Sequence, residues 1–362
     1  MKIVVAMDSF KGSLTSLQAG NAVKRGILKA YPDAEVTVIP LADGGEGTID
    51  SIAPYVRGVL KTLTVTGPLG EPVKAYYIFE PETKTAYIEM AKASGLTLIE
   101  PEKRDPFTTT SYGTGELMKD AIENGAEKLV ICIGGSATND GGAGMLQALG
   151  AVFSDKDGRQ ICRGAEGLKD LFSINLSNLI GKDADIIVAS DVTNPLCGPD
   201  GASFVYGPQK GATENACRKM DGWLRKYAEI SGFDPFEKGT GAAGGMSYAL
   251  KNFLGARILS GADIVMEITG TEPKIMDCNI VITGEGCMDS QTVNGKAPFK
   301  IMKTGVKYGK PVFGITGVLG DGYEECLKAG FTRIEPLIVP TMVTEEAVKS
   351  VEETAAKLLI SP

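Results

Sequence analysis

Both ends of the chain repeat one alternation, and it restricts the fold more than any other feature. A short apolar run leads into a turn rich in glycine and acids, and an amphipathic helix follows. At the start, Lys2 to Ala6 reads as a buried strand. Thr15 and Gln18 form a T-x-x-Q capping box that opens a helix. Ala19, Ala22, Val23, Gly26, Ile27 and Ala30 recur along it at helical spacing, and Pro32 closes it. Glu35 to Pro40 reads as a second strand and Glu46 to Arg57 as a second helix. Near the other end, strands are expected at Asn279–Thr283, Pro311–Thr316 and Arg333–Val339. Helices are expected at Pro298–Lys307, Tyr323–Ala329 and Thr344–Leu359. Five β–α units of this kind fit one doubly wound parallel sheet, with flavodoxin-like strand order preferred.

The middle of the chain is patterned differently. Lys61 to Ala91 alternates with period two around turns at Gly67–Gly70 and Pro81–Thr83, which predicts an antiparallel meander. Further strands are expected at Lys128–Ile133 and Asp185–Ala189. The fold class is therefore α/β, with a second α/β domain inserted into the first. Residues 1–61 and 271–362 form the discontinuous domain, and residues 62–270 the insert.

Composition removes whole classes of chemistry. The chain of 362 residues contains no histidine, so Ser-His-Asp triads, His-ligated zinc and imidazole bases are all excluded. Proton transfer must fall to carboxylates, lysine, tyrosine or cysteine. A formal charge of −8 argues against nucleic acid or an anionic membrane as partner. No apolar stretch approaches the ~18 residues that a membrane span needs, and the N-terminal apolar run is too short for a signal peptide. The seven cysteines are scattered without a C-x-x-C pair, as expected of reduced thiols in the cytoplasm. Forty-six glycines is nearly twice the ~7% of ordinary proteins, and they gather beside Asp, Glu, Ser and Thr. Such clusters let backbone N–H groups approach an anion.

In an open parallel sheet, ligands bind beyond the carboxyl ends of the strands. The first strand runs into Asp8, Ser9 and Lys11, the second into Asp43. A later strand runs into Gly284, Glu285, Gly286 and Asp289. Carboxylates gathered on one rim call for a divalent cation or lysines. Magnesium is the natural candidate, with Asp43 and Glu285 as its ligands. The same residue types also cap helices and make turns. A second cluster, Gly134, Gly135, Ser136, Thr138, Asn139 and Asp140, lies between a strand and a helix beginning near Ala143. That order suits a phosphate or substrate loop, or a tight packing turn. Asp191 also follows a strand, as a proton acceptor, a metal ligand or an Asx-turn. Lys11, Lys210 and Lys296 stand beside glycines and suit phosphate or carboxylate binding. Residues 239–244 match G-x-G-x-x-G, but no strand precedes them, and a P-loop is absent.

Long segments then identify a family. They are MDSFKGS at 7–13, PLADGGEGT at 40–48, GTGEL at 113–117, and residues 134–145 and 191–202. GPQKGA at 207–212, GAAGG at 241–245, TGEG at 283–286 and DSQT at 289–292 complete the set. In these segments the chain resembles the type I glycerate kinases along essentially its whole length. The resemblance implies ATP-dependent phosphorylation of D-glycerate, with 2-phosphoglycerate as the favoured product. It implies a flavodoxin-like domain and a second α/β domain with the site in the cleft between them; the chain itself is expected to be a monomer or homodimer. Asp8, Lys11 and Asp191 are then the expected catalytic residues. The pattern leads us to expect arginine where Cys287 stands and glycine where Lys300 stands. The residues alone leave two rivals: a nicotinamide-linked hydroxy-acid oxidoreductase, and a non-catalytic nucleotide or metabolite sensor.

Overall fold

The structure, a computed structural model, describes residues 1–10, 12–339 and 343–358. In chain order its strands are β1 (Lys2–Met7), β2 (Glu35–Pro40), β3 (Val59–Thr66), β4 (Pro72–Glu80) and β5 (Thr85–Glu89). Then come β6 (Lys128–Cys132), β7 (Val152–Ser154), β8 (Ser173–Asn175), β9 (Asp185–Ala189) and β10 (Arg257–Leu259). The last are β11 (Ile280–Met288), β12 (Val312–Leu319) and β13 (Arg333–Pro336). The chain divides into two units. The first comprises Met1–Asp43, Asp50–Tyr55 and Ala262–Pro362, the second Gly44–Ile49 and Val56–Gly261. Strand β3 belongs to the sheet of the second unit, so the division falls near residue 55 rather than 61. It falls at 262 rather than 271 because Ala262 packs in the core beneath β1, β2 and β11.

The first unit holds a five-stranded sheet in the order β13-β12-β11-β1-β2, every pairing parallel. Counted within the unit, that is 2-1-3-4-5, the flavodoxin-like order, and it reverses between β1 and β11. The capping box forms as the sequence predicts: Thr15 Oγ1 accepts from Gln18 N–H at 3.2 Å, and Thr15 N–H donates to Gln18 Oε1 at 2.9 Å. The helix it opens, Ser16–Ala30, buries Ala19, Ala22, Val23 and Ile27 against Ala347, Val351 and Ala355 of helix Thr344–Leu358. Full burial of each valine or isoleucine contributes roughly 1.5–3 kcal/mol. Gly26 sets how closely these helices pack, since a Cβ there would lie 2.1 Å from the Glu352 carbonyl oxygen. On the opposite face, Ala297, Ile301 and Met302 of helix Ala297–Lys307 cover Val4, Ile39 and Val312.

Two elements are shorter than the sequence suggests. The expected helix over 46–57 is Thr48–Ile52 followed by a 3-10 turn, Ala53–Tyr55, because Pro54 offers no N–H to continue it. Strand β13 stops at Pro336 for the same reason.

In the second unit the sheet order is β10-β9-β6-β5-β4-β3. Strands β3, β4 and β5 form the antiparallel meander, and β5, β6, β9 and β10 run parallel. Tyr227 packs in its core against Phe153, Tyr248 and Phe253, with ring centroids 5.9, 5.4 and 5.9 Å away. The G-x-G-x-x-G match follows a turn rather than a strand, and Ala243, Gly244 and Gly245 are all left-handed. Asp263 is ion-paired with Lys300 at 2.9 Å. No helix among the described residues is long and apolar enough to cross a membrane.

Candidate functional site

In the first unit the tips of β1 and β11 are bound together. Asp8 N–H donates to the Gly284 carbonyl at 2.8 Å, and Asp8 Oδ1 accepts from Ser9 N–H at 2.7 Å. Both Asp8 and Ser9 are half-buried, while Asp43, beyond β2, is exposed. Ser16 Oγ joins the neighbouring tips by donating to Met7 O at 2.7 Å and accepting from Leu41 N–H at 2.8 Å. Glycine at 284 has a packing cause: a Cβ there would sit 1.8 Å from Ile315 O. A Cβ on Gly317 would likewise lie 2.5 Å from Gly286 O. Lys11 lies outside the described residues.

Glu285 is the buried acid of this rim, 8% exposed. One carboxylate oxygen accepts from Thr292 Oγ1 at 2.8 Å, and the other lies 3.5 Å from Lys296 Nζ. Lys296 also reaches Asp289 Oδ1 at 3.5 Å, and that oxygen caps the Gln291 and Thr292 amides at 2.8 and 3.2 Å. Burial pushes the Glu285 carboxyl up from its ordinary value, and the Lys296 charge opposes that rise. Lys296 is therefore the cation beside Glu285. Cys287 is exposed, and Lys300 turns to Asp263. Among the described residues no three Asp, Glu or Cys side chains converge as a metal site. Glu285 and Asp289 share Lys296, and Glu285 is also engaged by Thr292.

In the second unit, two glycine-rich segments meet at the carboxyl ends of β5, β6 and β9. Gly134 N–H donates to Gly44 O at 3.0 Å. A Cβ on Gly134 would lie 2.5 Å from Gly45 Cα, and one on Gly44 would lie 2.4 Å from Ala189 O. Only bare backbone fits at these contacts. Gly44 also needs glycine for its φ of +85°. The segment 44–49 is held from beneath by Glu89, the last residue of β5, fully buried at 0% exposure. Its oxygens accept from Gly47 N–H at 3.0 Å and Ile49 N–H at 3.1 Å, with Lys92 Nζ at 3.8 Å.

The loop 134–142 differs from the expected phosphate seat. Thr138, Asn139 and Asp140 are fully buried. Asp140 accepts from Gly142 N–H (3.1 Å), Gly144 N–H (3.3 Å), and the Ser111 amide and hydroxyl (2.9 and 2.8 Å). Ser111 Oγ in turn accepts from Met145 N–H at 3.0 Å. These internal groups take up the first-turn amides of the short helix Ala143–Ala148. Lys210 is 2% exposed and donates to Ser136 Oγ at 3.0 Å and Thr138 O at 2.6 Å. It is a peg under the loop rather than a surface cation. Burial pushes its ammonium down to about 7, with the Asp140 carboxylate opposing the fall. Gly134 and Gly135 remain on the outer side of the loop, half-buried and exposed respectively.

Asp191 is exposed at the tip of β9, beside a cleft of about 550 Å³ also lined by Thr193, Lys238, Gly239 and Lys251. The loop behind it is fixed by Tyr206 Oη donating to Asn194 Oδ1 at 2.7 Å and Gly241 N–H donating to Asn194 O at 2.9 Å. Sequence reasoning missed Glu89 and Ser111. The strand-tip criterion that selects Asp8 and Asp43 selects Glu89 equally, whereas nothing local marks Ser111.

A model of the glycerate kinase family matches residues 3–360 of this chain. The glycerate 2-kinase of Escherichia coli (strain K12) is 49% identical over 328 residues, spanning 89% of this chain and 86% of that protein. The glycerate kinase of Bacillus subtilis (strain 168) is 43% identical, spanning 100% of this chain and 97% of its own length. A crystal structure described as a "putative glycerate kinase 2 from Salmonella typhimurium LT2" aligns with TM-score 0.83 at 43% identity, covering 98% of this chain and 95% of that one. On this match, and on relatives of such identity across most of their length, the chain belongs to the glycerate kinase family.

Proposed function

We propose that this chain is a type I glycerate kinase that transfers the γ-phosphoryl group of ATP to the 2-hydroxyl of D-glycerate. The observation that carries the reading is the 49% identity to a glycerate 2-kinase over 86% of that protein's length. The absence of histidine agrees with it. Phosphoryl transfer needs alignment and charge neutralisation more than a strong base, and glycine loops, lysines and carboxylates supply both.

The roles follow from exposure. Gly135 presents backbone to solvent on a loop fixed from within, which suits contact with phosphate oxygens, and Gly134 ties that loop to Gly44 O. Lys296, 37% exposed and already bridging two acids, can turn toward an incoming anion. Lys11 or loop amides would hold the glycerate carboxylate. Asp8 and Asp191, each just beyond a strand tip, are the candidates to accept the hydroxyl proton. Magnesium, bound with the nucleotide, would neutralise charge on its phosphates. Exposed Asp43 and the Glu285 carboxylate would be the protein oxygens available to such an ion, beside the phosphates it bridges.

The test is a turnover assay of the full chain with Mg-ATP and D-glycerate, with L-glycerate and NAD with D-glycerate run in parallel. The reading expects ADP and phosphoglycerate in equal amounts from D-glycerate. Reduction of NAD without ADP release, or nucleotide binding without product, would replace it with one of the two rivals.

A further inference from the structure

We propose that Glu89 and Lys210 are positioning residues that hold the two glycine-rich segments of the second unit, 44–49 and 134–142, in the shape that receives the triphosphate. The proposal rests on the kinase reading for its ligand, but its geometry stands apart from that reading.

Glu89 and Lys210 lie almost wholly inside the second unit, at 0% and 2% exposure, as does Asp140. Such burial is rare unless partners satisfy the group. Here the partners are not an ordinary core network. Glu89 accepts from the Gly47 and Ile49 amides of the segment 44–49. Lys210 donates to Ser136 Oγ and Thr138 O of the loop 134–142. An acid therefore grips one glycine segment by its N–H groups, and a base grips the other by oxygen atoms. Bonds to a carboxylate are about twice as strong as neutral ones, so Glu89 is an effective clamp, and Lys210 holds two oxygen atoms of its loop at once.

Glycine segments need such clamps. Without side chains they lose more conformational freedom on ordering than any other sequence. A loop that must be ordered by its ligand binds that ligand more weakly. The two clamps are also joined, because Gly134 N–H donates to Gly44 O at 3.0 Å. Residues 243–245 press on the same loop from another side, where Gly141 N–H donates to Gly244 O at 2.9 Å. Neither Glu89 nor Lys210 has the exposure to touch a ligand, so each acts through the backbone it holds.

Three measurements on the full chain test this: hydrogen exchange of peptides covering 44–49 and 134–142, binding of a non-hydrolysable Mg-ATP analogue, and steady-state kinetics. The variants are E89Q and K210M, which keep side-chain size. E89D and K210Q serve if either fails to fold. Each variant, still folded by circular dichroism, is expected to speed exchange in its own segment. It should also weaken analogue binding tenfold or more and raise KM for ATP by a similar factor. In E89Q/K210M the two losses should combine to less than their product, because the segments share the Gly134–Gly44 bond. Unchanged exchange in the segments, or folded variants that bind the analogue as wild type does, would overturn the proposal. A wild type that binds no nucleotide would remove the kinase reading and the proposed ligand together. Faster exchange with unaltered nucleotide affinity would reduce both residues to structural props and overturn the proposal alone.

Discussion

Lys210 shows how the same residue reads differently in sequence and in space. Between glycines in GPQKG it resembles a phosphate-binding lysine. In the fold it points inward, and burial pushes its ammonium down to about 7 from an ordinary 10.5. Between those values the unfolded chain holds a proton that the folded chain has released. Its contribution therefore weighs against folding below pH 7 and is relieved as pH rises toward 10.5. Urea midpoints at pH 6.5 and 9.5, compared between wild type and K210M, are expected to show this. Wild type should gain stability relative to the variant as pH rises, and a constant difference would mean that Lys210 does not titrate in this range. Asp8 and Asp191 were legible as strand-tip acids, and they stay accessible in the structure. If one of them accepts the hydroxyl proton, Asp8→Asn or Asp191→Asn lowers kcat by about 10² or more. Wild-type turnover in both would remove the assignment. Burial is set by the whole unit and not by neighbours in sequence. For that reason Thr138, Asn139 and Asp140 read as ligand-facing, yet they build the interior of the loop.

Elements were the most legible scale, because periodicity and caps act within a few residues. The strands at 35–40 and 185–189 fall where the pattern places them. The Thr15–Gln18 box forms with both of its bonds. Thr15→Ala is expected to cost about 1 kcal/mol, read as a lower urea midpoint with unchanged slope. Prolines at 54 and 336 shortened two elements that hydrophobic pattern alone had extended. Glycines divide by cause in a way the sequence does not reveal. At 284, a methyl group would meet a carbonyl oxygen of β12 at 1.8 Å. At 47, φ is +82° but nothing lies within 4 Å. Gly284→Ala should therefore cost at least the roughly 1–3 kcal/mol of overpacking, because a ladder carbonyl cannot yield. Gly47→Ala should cost only the ~1–2 kcal/mol of a left-handed alanine. Equal midpoints for the two variants would contradict this division.

At the scale of the whole molecule, the repeated β–α alternation at both ends was enough to read a doubly wound sheet, and its 2-1-3-4-5 order follows. The meander and the later parallel strands marked a second sheet through the middle of the chain. Its boundaries were less legible, because residues 44–49 follow a strand of one unit yet pack within the other. Only tertiary contacts, such as Glu89 with the Gly47 and Ile49 amides, reveal that assignment. The family match gives the catalytic reading its substrate, and the exposed glycine backbone at 135 gives it a seat for phosphate oxygens. The most direct measurement follows the phosphorus itself. The full chain is incubated with ATP labelled at the γ-phosphorus and D-glycerate, and the products are resolved by phosphorus NMR. The label should move stoichiometrically to the 2-oxygen of the three-carbon acid, with none released as inorganic phosphate before transfer. Label that stays on ATP in the presence of D-glycerate, or appears only as inorganic phosphate, would contradict the account.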